Sequence, residues 1–493
     1  MNSTATIARH PLAAAVRSEA AALAVIALCA LATRAVWFGD SAASPDEQLY
    51  SLIGNAMLEG SLPFVDLWDR KPIGLFALFA VAHWLGGPDP IAYQLLAAFF
   101  AMLGGWLVFA LARPLGGTAT GVVAALVYLL LTAAYGSYAG QSEIFHVPLV
   151  LAMVLLVRDG ERPDALRRAA WAMLLGGLAL QVKYSVLPQC LFLGCYALLH
   201  LQREGFGPGR LAGAAALFGT LGLLPTAAAL GLYAAMGALE PFVFANFVSF
   251  FDRLPSGAGR LPLRHLPLVA PLFLLAAAGL WAAWRVQRPT PARHYRLIAC
   301  WALSALATVL LPGTVYLYYY AALAPAAALL ALPLYDCRVA RGRWMALAIV
   351  AACALLVDYP GRHSQSQQRR EALAQLAAAA IPAVRTGDRC LFVYDGPTSL
   401  YRLTGSCLPS RFAYPDHLNN ALETPALGVD QAAEVARILR TGPAAIVTAD
   451  SPLTPQAPRS TELVSDALAS RYKLEMQREM DERTISLWLR TAP

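Results

Sequence analysis

Between Ser44 and Gly74 the chain reads SPDEQLYSLIGNAMLEGSLPFVDLWDRKPIG. These 31 residues hold Asp46, Glu47, Glu59, Asp66, Asp69, Arg70 and Lys71, yet they lie between two strongly apolar runs. Pro45 fixes the chain at the start of a short helix, with Asp46 and Glu47 in its first turn, where a helix N-terminus tolerates negative charge. Tyr50, Ile53 and Met57 recur at helical spacing, so this helix is amphipathic and suits a membrane surface. Carboxylates at a bilayer interface that face a cavity are candidates for proton abstraction; the plainer reading is that they solvate an outer loop. Lys71, where apolar sequence resumes, can meet a lipid phosphate as a point charge or simply snorkel. Glu143 in SYAGQSEIFH and Lys183, which interrupts the apolar Leu178–Leu187, repeat the pattern, because an ionisable group at membrane depth needs a partner, water or a ligand. Two acidic clusters and two lysines together suit a lipid phosphate and a polar acceptor.

The elements that must position these groups are membrane spans. The chain has 493 residues, 58% hydrophobic and 14% charged, with a mean hydropathy of +0.52. Apolar runs of roughly 13 to 26 residues describe a polytopic α-helical membrane protein. About eleven transmembrane helices are expected, at Ala20–Phe38, Pro90–Leu111, Val122–Tyr135, Phe145–Val157, Ala169–Val182, Tyr184–Leu201, Leu211–Met236, Leu266–Trp284, Leu297–Leu311, Tyr316–Leu334 and Trp344–Val357. The first run is too long for the apolar part of a cleaved signal peptide and reads as a retained span. Arg9 and Arg17, Arg113, and the loops Arg158–Arg168, Arg203–Arg210, Arg285–Arg296 and Arg338–Arg343 fall on one side, which the positive-inside rule makes the cytoplasm. That bias accounts for most of the net charge of +7 and calls for no nucleic acid. The loops near Ser44–Lys71, Gly136–Glu143, Lys183, Leu239–Arg264 and Pro312–Val315 then face outward. Ile73–Gly86 is apolar but only 14 residues long, and a crossing there would invert every later loop, so a juxtamembrane or re-entrant helix is expected.

Residues 1–357 thus read as the membrane domain, with 39–72 as its first outer loop, and 358–493 as a small outer α/β domain. In the latter, CLFVYD (Cys390–Asp395), AAIVT (Ala444–Thr448) and TISLWLR (Thr484–Arg490) read as strands, and Glu371–Val384 and Asp430–Leu439 as helices. Of the eight cysteines, Cys390 and Cys407 stand in this polar part. They read as a disulfide, which needs an oxidising compartment, or as two unrelated buried thiols. Tyr135, Tyr138, Tyr316 and Tyr318–Tyr320 read as an interfacial aromatic belt or as stacking surfaces for a sugar.

Several chemistries lack their motifs. No G-x-x-x-x-G-K-[ST] occurs, so ATP-driven work is not expected, and there is no G-x-S-x-G nucleophile elbow. His83, His146, His265 and His294 are scattered without H-E-x-x-H, which disfavours a zinc hydrolase. No Asp-x-Asp occurs, so a transferase here fits a lipid-linked donor better than a nucleotide sugar. A transporter or lipid flippase would place ionisable groups near the bilayer midplane and carry paired repeats; here the charges cluster at one interface and no repeat is visible. A non-catalytic assembly or sensor protein, working through its C-terminal part, is the third reading.

The chain resembles membrane glycosyltransferases of the GT-C superfold, in the bacterial branch related to protein O-mannosyltransferases and the lipid A aminoarabinose transferase. The resemblance lies in D-E-x-x-Y (Asp46, Glu47, Tyr50), D-x-W-D-x-K-P (Asp66 to Pro72), the basic loop at Arg113, S-E (Ser142, Glu143) and G-L-A-L-x-x-K (Gly177 to Lys183). It ends in YLYYYAALAP (Tyr316–Pro325), with Tyr319 where the family usually has His, and covers roughly residues 20 to 335. One departure is K-P-I where K-P-P is common. The resemblance implies transfer of a sugar from a polyprenyl-phosphate carrier to a lipid, glycan or protein acceptor on the outer, periplasmic face of a bacterial inner membrane. It implies Asp46 as catalytic base or acceptor orienter, Glu143 as a second acidic position of the site with Glu47 beside the first, and Lys71 near the carrier phosphate. Asp66, Asp69, Tyr50, Lys183 and Tyr319 are the further substrate-binding candidates. Divalent metal use varies within the superfold and stays open.

Overall fold

The computed structural model describes residues 11–255, 265–312, 314–385 and 389–491. Arg9, and residues 256–264 of one expected outer loop, lie outside the described residues. The helical part runs through α1 (Pro11–Ala32), α2 (Pro45–Leu58), α3 (Ile73–Gly86), α4 (Pro90–Ala134), α5 (Ser142–Val157), α6 (Ala165–Leu180), α7 (Leu187–Arg203) and α8 (Pro208–Ala235). The short α9 (Leu239–Val243) and α10 (Ser249–Asp252) follow, then α11 (Leu266–Arg285), α12 (Ala292–Leu310), α13 (Ala324–Leu330) and α14 (Ala340–Val357). Among the described residues, six helical stretches are long and apolar enough to cross a membrane. Their outward faces carry exposed Leu28, Leu223, Leu274 and Leu355, as expected where lipid rather than water is the solvent. Between helices, small residues let backbones approach: a Cβ on Gly177 would strike the Gly222 carbonyl, and one on Gly279 the Leu330 carbonyl.

The long α4 is two helices that meet at a kink and form a hairpin. Gly117 has φ 81° and ψ 177°, a conformation open essentially to glycine. The two halves fold back antiparallel, with Gly104 against Tyr128 and Gly121 against Phe109. Two antiparallel helical halves, parted at Gly117 shortly after Arg113, therefore occupy this stretch. The expected span Tyr316–Leu334 takes another form: a 3-10 turn at Leu317–Leu323 runs into the seven-residue α13. Tyr320 to Leu332 are buried throughout, so this apolar run is packed inside protein rather than against lipid. α3 is about 21 Å long at 1.5 Å per residue, short of a hydrocarbon core of about 30 Å, and packs on α2 and α4.

A left-handed Asp358 (φ 49°, ψ 55°) separates α14 from α15 (Tyr359–Arg385). The helix expected at Glu371–Val384 thus begins earlier and takes in the polar stretch 361–370. Its Arg369 and Ser366 are buried against the rest of the protein, so polarity here marks a docking face and not a loop. Beyond it come β1 (Leu391–Val393), α16 (Leu400–Thr404), α17 (Pro415–Asn419), α18 (Gln431–Thr441), β2 (Ala445–Ala449), α19 (Pro458–Arg471), β3 (Tyr472–Met480) and β4 (Arg483–Arg490). The sheet order is β1-β2-β4-β3, with β1 and β2 parallel and the other pairs antiparallel. Registers such as Phe392↔Ile446 and Ile446↔Trp488 put an apolar layer at its centre. Cys390 and Cys407 form a disulfide.

The sheet domain docks on the end of the helices where the loops before α3, after α10 and before α13 gather. Trp68 N–H donates to the Arg411 carbonyl at 2.9 Å, and Leu254 N–H to that of Leu422 at 3.0 Å. Ser249 Oγ donates to the Ala426 carbonyl at 2.6 Å, and Ser399 N–H to Gln48 Oε1 at 3.1 Å.

Candidate active site

Ser44 is extended and Pro45 occupies the first position of α2, which puts Asp46 in the first turn, where the helix dipole favours a carboxylate. Asp46 Oδ2 accepts hydrogen bonds from Tyr318 Oη at 2.9 Å and Tyr50 Oη at 3.2 Å. Lys71 Nζ stands 4.0 Å from the same oxygen and 5.7 Å from the centre of the Tyr50 ring. Burial alone would lower the Lys71 pKa, but Asp46, with Tyr319 and Asp69, outweighs it and holds the amine protonated. Asp69 accepts from the Arg70 N–H at 2.6 Å. Burial raises its carboxyl, opposed by Lys71 and Arg70.

Asp46, Tyr50, Asp69, Lys71, Lys183 and Tyr319 all line one cavity of about 850 Å³, so six of the nine sequence candidates converge. Tyr135, Tyr138, Tyr316 and Tyr318 line it as well. With Tyr319, five of the tyrosines considered for an interfacial belt thus face protein space. Tyr316 and Tyr318 stack 5.7 Å apart with 13° between planes, and Tyr319 meets both edge-on.

Glu47, Glu143 and Asp66 are not on the cavity wall. Glu47 is 0% exposed. Its Oε2 accepts the Gly140 N–H at 2.6 Å and its Oε1 the Tyr93 hydroxyl at 3.2 Å. Burial pushes its carboxyl up to about 8; the Gly140 N–H opposes this and Asp40 adds to it. It therefore ties α2 to the loop before α5 and to α4. Glu143, 2% exposed, forms an ion pair with Lys183 and accepts from Ser142 Oγ at 3.1 Å. Lys183 lies between this carboxylate and the cavity, its Nζ 3.6 Å from the centre of the Tyr319 ring. Asp66 turns back to accept the Leu62 N–H at 2.7 Å, which shapes the loop before α3.

The opposite wall comes from the C-terminal domain: Tyr414, Asp416, His417, Glu423, Leu453 and Thr454. None was singled out from the sequence. Pro415 at the start of α17 was a local helix signal, but nothing local says that this helix faces residue 46. Glu423 joins both halves. Arg70 grips it with both terminal guanidinium nitrogens, and Arg253 Nε lies 2.5 Å from its Oε1. Arg253 also donates to Tyr316 Oη at 3.3 Å. Among the described residues, no three His, Cys, Asp or Glu side chains gather as a metal-ligand set.

The arrangement offers a carboxylate held by two phenols, a protonated amine beside it, a second amine braced from behind, and an aromatic wall. Such a set can take a proton from an attacking hydroxyl while stabilising charge on a phosphate leaving group.

The family model for dolichyl-phosphate-mannose-protein mannosyltransferase matches residues 70–226, from the Arg70–Lys71 pair into α8. No curated protein matches the chain by sequence. Among solved structures, ArnT from Cupriavidus metallidurans, bound to undecaprenyl phosphate, superposes with a TM-score of 0.61 at 17% identity, over 97% of this chain and 98% of that one. Its apo form gives 0.62 at the same identity and coverage. The archaeal oligosaccharyltransferase AglB from Archaeoglobus fulgidus, in complex with an inhibitory peptide and a dolichol-phosphate, gives 0.50 at 13% identity, over 87% of this chain and 69% of that one. The chain thus resembles the O-mannosyltransferase and aminoarabinose transferase branch, and its fold is that of the GT-C membrane glycosyltransferases.

Proposed function

We propose that the chain transfers a glycosyl group from a polyprenyl-phosphate carrier to an acceptor on the periplasmic face of the inner membrane. The observation that carries this reading is the Asp46–Lys71 pair on the wall of the large cavity at the loop end of the helices. The acceptor oxygen attacks the anomeric carbon. The bond from that carbon to the phosphate oxygen breaks, and the polyprenyl phosphate leaves with the bonding electrons. Asp46 takes the acceptor proton, and the anomeric configuration inverts. Lys71 and Lys183 face the charge that builds on the phosphate. Tyr50 and Tyr318 hold Asp46 in place, Glu143 orients Lys183, and Glu47 positions α2. Asp69 and Tyr319 border the bound sugar, and Asp66 shapes the loop that carries Lys71.

Three further observations support the reading. ArnT and AglB were solved with undecaprenyl phosphate and dolichol-phosphate respectively. The ionisable groups that line the cavity gather where the loops before α3 and after α10 meet, whereas a transporter would carry such groups at the middle of its helices. The Cys390–Cys407 disulfide suits an oxidising compartment, which supports a periplasmic position for residues 358–493, and the basic loops support a cytoplasmic N-terminus.

Mass spectrometry of lipid extracts and surface glycans tests it, in cells with the wild-type chain, without it, and with Asp46→Asn. One glycan mass should vanish in both altered strains while a polyprenyl-phosphate sugar accumulates. Loss of a general base lowers the rate about 10²- to 10⁴-fold. Full product from Asp46→Asn would sink the base assignment.

A further inference from the structure

The wall contributed by the C-terminal domain has chemistry that the transfer step above does not use. Glu423 is taken up by Arg70 and Arg253. Asp416 is not: among the described residues no salt bridge reaches it, and its one side-chain hydrogen-bond contact is Thr454 Oγ1 at 3.4 Å. Beside it His417 is 3% exposed, and its buried Nδ1 has no hydrogen-bond partner. Its ring is wedged edge-on against Trp68 at 4.8 Å and Tyr414 at 5.4 Å. A buried polar atom left unmatched is costly unless something satisfies it. Asp416, His417 and half-exposed Thr454 border the same cavity as Asp46.

We propose that these three side chains form the acceptor subsite, and that they bind the hydroxyl groups of a neutral sugar acceptor; this rests on the transfer reaction proposed above. The chemistry selects the class. Burial lowers the His417 pKa to about 3, so the ring is neutral, with one nitrogen to donate and one to accept. Burial, with Glu423 adding, pushes the Asp416 carboxyl up to about 7, so it too can donate as well as accept. A neutral imidazole, a carboxyl and a hydroxyl match a run of sugar hydroxyls, each of which donates and accepts. A phosphate acceptor would face the Asp46 carboxylate and the Asp416 carboxyl, neither of which offers it positive charge. An ammonium acceptor would stand near Arg70 and Arg253, which line the same cavity. The donor phosphate is left to the lysines on the helical side, so the two substrates approach Asp46 from opposite walls.

The test is ligand-dependent thermal stability of the purified full-length chain in detergent. The probes are methyl hexopyranosides and methyl pentopyranosides, with inorganic phosphate and ethanolamine as the charged alternatives. At least one methyl glycoside should raise Tm in a saturable way. Asp416→Asn and Thr454→Val should each weaken its apparent affinity about tenfold, the loss of one hydrogen bond to a charged or strongly polar group. Thr454 is half-exposed, so its variant tests the subsite even if Asp416→Asn folds poorly. The proposal is overturned if no glycoside shifts Tm, or if neither variant alters the shift. It is equally overturned if phosphate or ethanolamine gives the shift that Asp416→Asn removes. Failure of the transfer reading looks different: glycan mass spectra would be unchanged in Asp46→Asn cells while the glycoside shift persisted.

Discussion

Asp46 and Glu47 are adjacent acidic residues that the sequence cannot tell apart, and the structure gives them opposite surroundings. Successive residues on a helix point about 100° apart. Asp46 therefore borders the cavity while Glu47 points into the packed interior against Gly140. Glu423 makes the same point from the other side of the molecule. Burial would raise its carboxyl, but hydrogen bonds and charge from Arg70, then the charge of Arg253, bring it down to about 2 from an ordinary 4.5. A carboxyl whose folded pKa is depressed stabilises the fold above its unfolded pKa, and that stability is lost as pH falls through the folded value. The wild-type protein should thus lose stability between about pH 4.5 and pH 2, with Glu423 contributing. Glu423→Gln should flatten that part of the pH dependence and cost about 3–5 kcal/mol at neutral pH, because two arginines lose their shared partner. Melting curves across pH check both, and an unchanged acid limb would remove Glu423 from the account.

At the scale of elements, close backbone contacts set where the site residues stand. A Cβ on Gly54 would lie 2.9 Å from the Ala80 backbone nitrogen, so α2 can lie on α3 only with glycine there. The α4 hairpin depends on Gly117 in another way. A Cβ at Gly117 meets nothing within 4 Å, so the cost of adding one is backbone strain alone. Gly117→Ala should lower stability by about 1–3 kcal/mol without altering the glycosyl product. Thermal unfolding in detergent reads this, and an unshifted melt would contradict the turn. Strand β3 shows why some elements escape a reading of pattern. In YKLEMQREM the two faces do not alternate cleanly, because β3 is an edge strand whose residues after Tyr472 are mostly exposed. Edge strands often carry charge to deter further pairing, and that charge masks them.

At the scale of the whole molecule, the cavity exists because two parts of the chain close on each other. Arg369 on α15 is one of the ties: it pairs with Asp40, 3.0 Å away, and with Asp481 of the β3–β4 turn at 2.9 Å. Asp40 is 0% exposed. Arg369→Ala should strand that carboxylate and cost about 3–5 kcal/mol, loosening the sheet domain from the helices before the helices themselves unfold. Limited proteolysis with a melting curve tests this: earlier cleavage near α15 is expected, and an unchanged pattern would show that the tie is dispensable.

The amino-acid sequence by itself determined the membrane character and showed that Asp46, Lys71, Glu143 and Lys183 are ionisable groups set beside apolar runs. Each of these is written in composition, in helical spacing or in a short motif. The Arg113 break in a long apolar stretch was legible too, because basic residues and proline interrupt hydropathy. Only the tertiary structure decided which carboxylates border the cavity, that an apolar run at Tyr316 stays inside the protein, and that Glu423 holds Arg70 from 353 residues away. The physical reason is distance along the chain. Periodicity reports which face of an element is apolar, whereas the partner of a buried charge depends on how separate elements dock. Nothing local to Asp416 or His417 records that they end up across a cavity from Asp46.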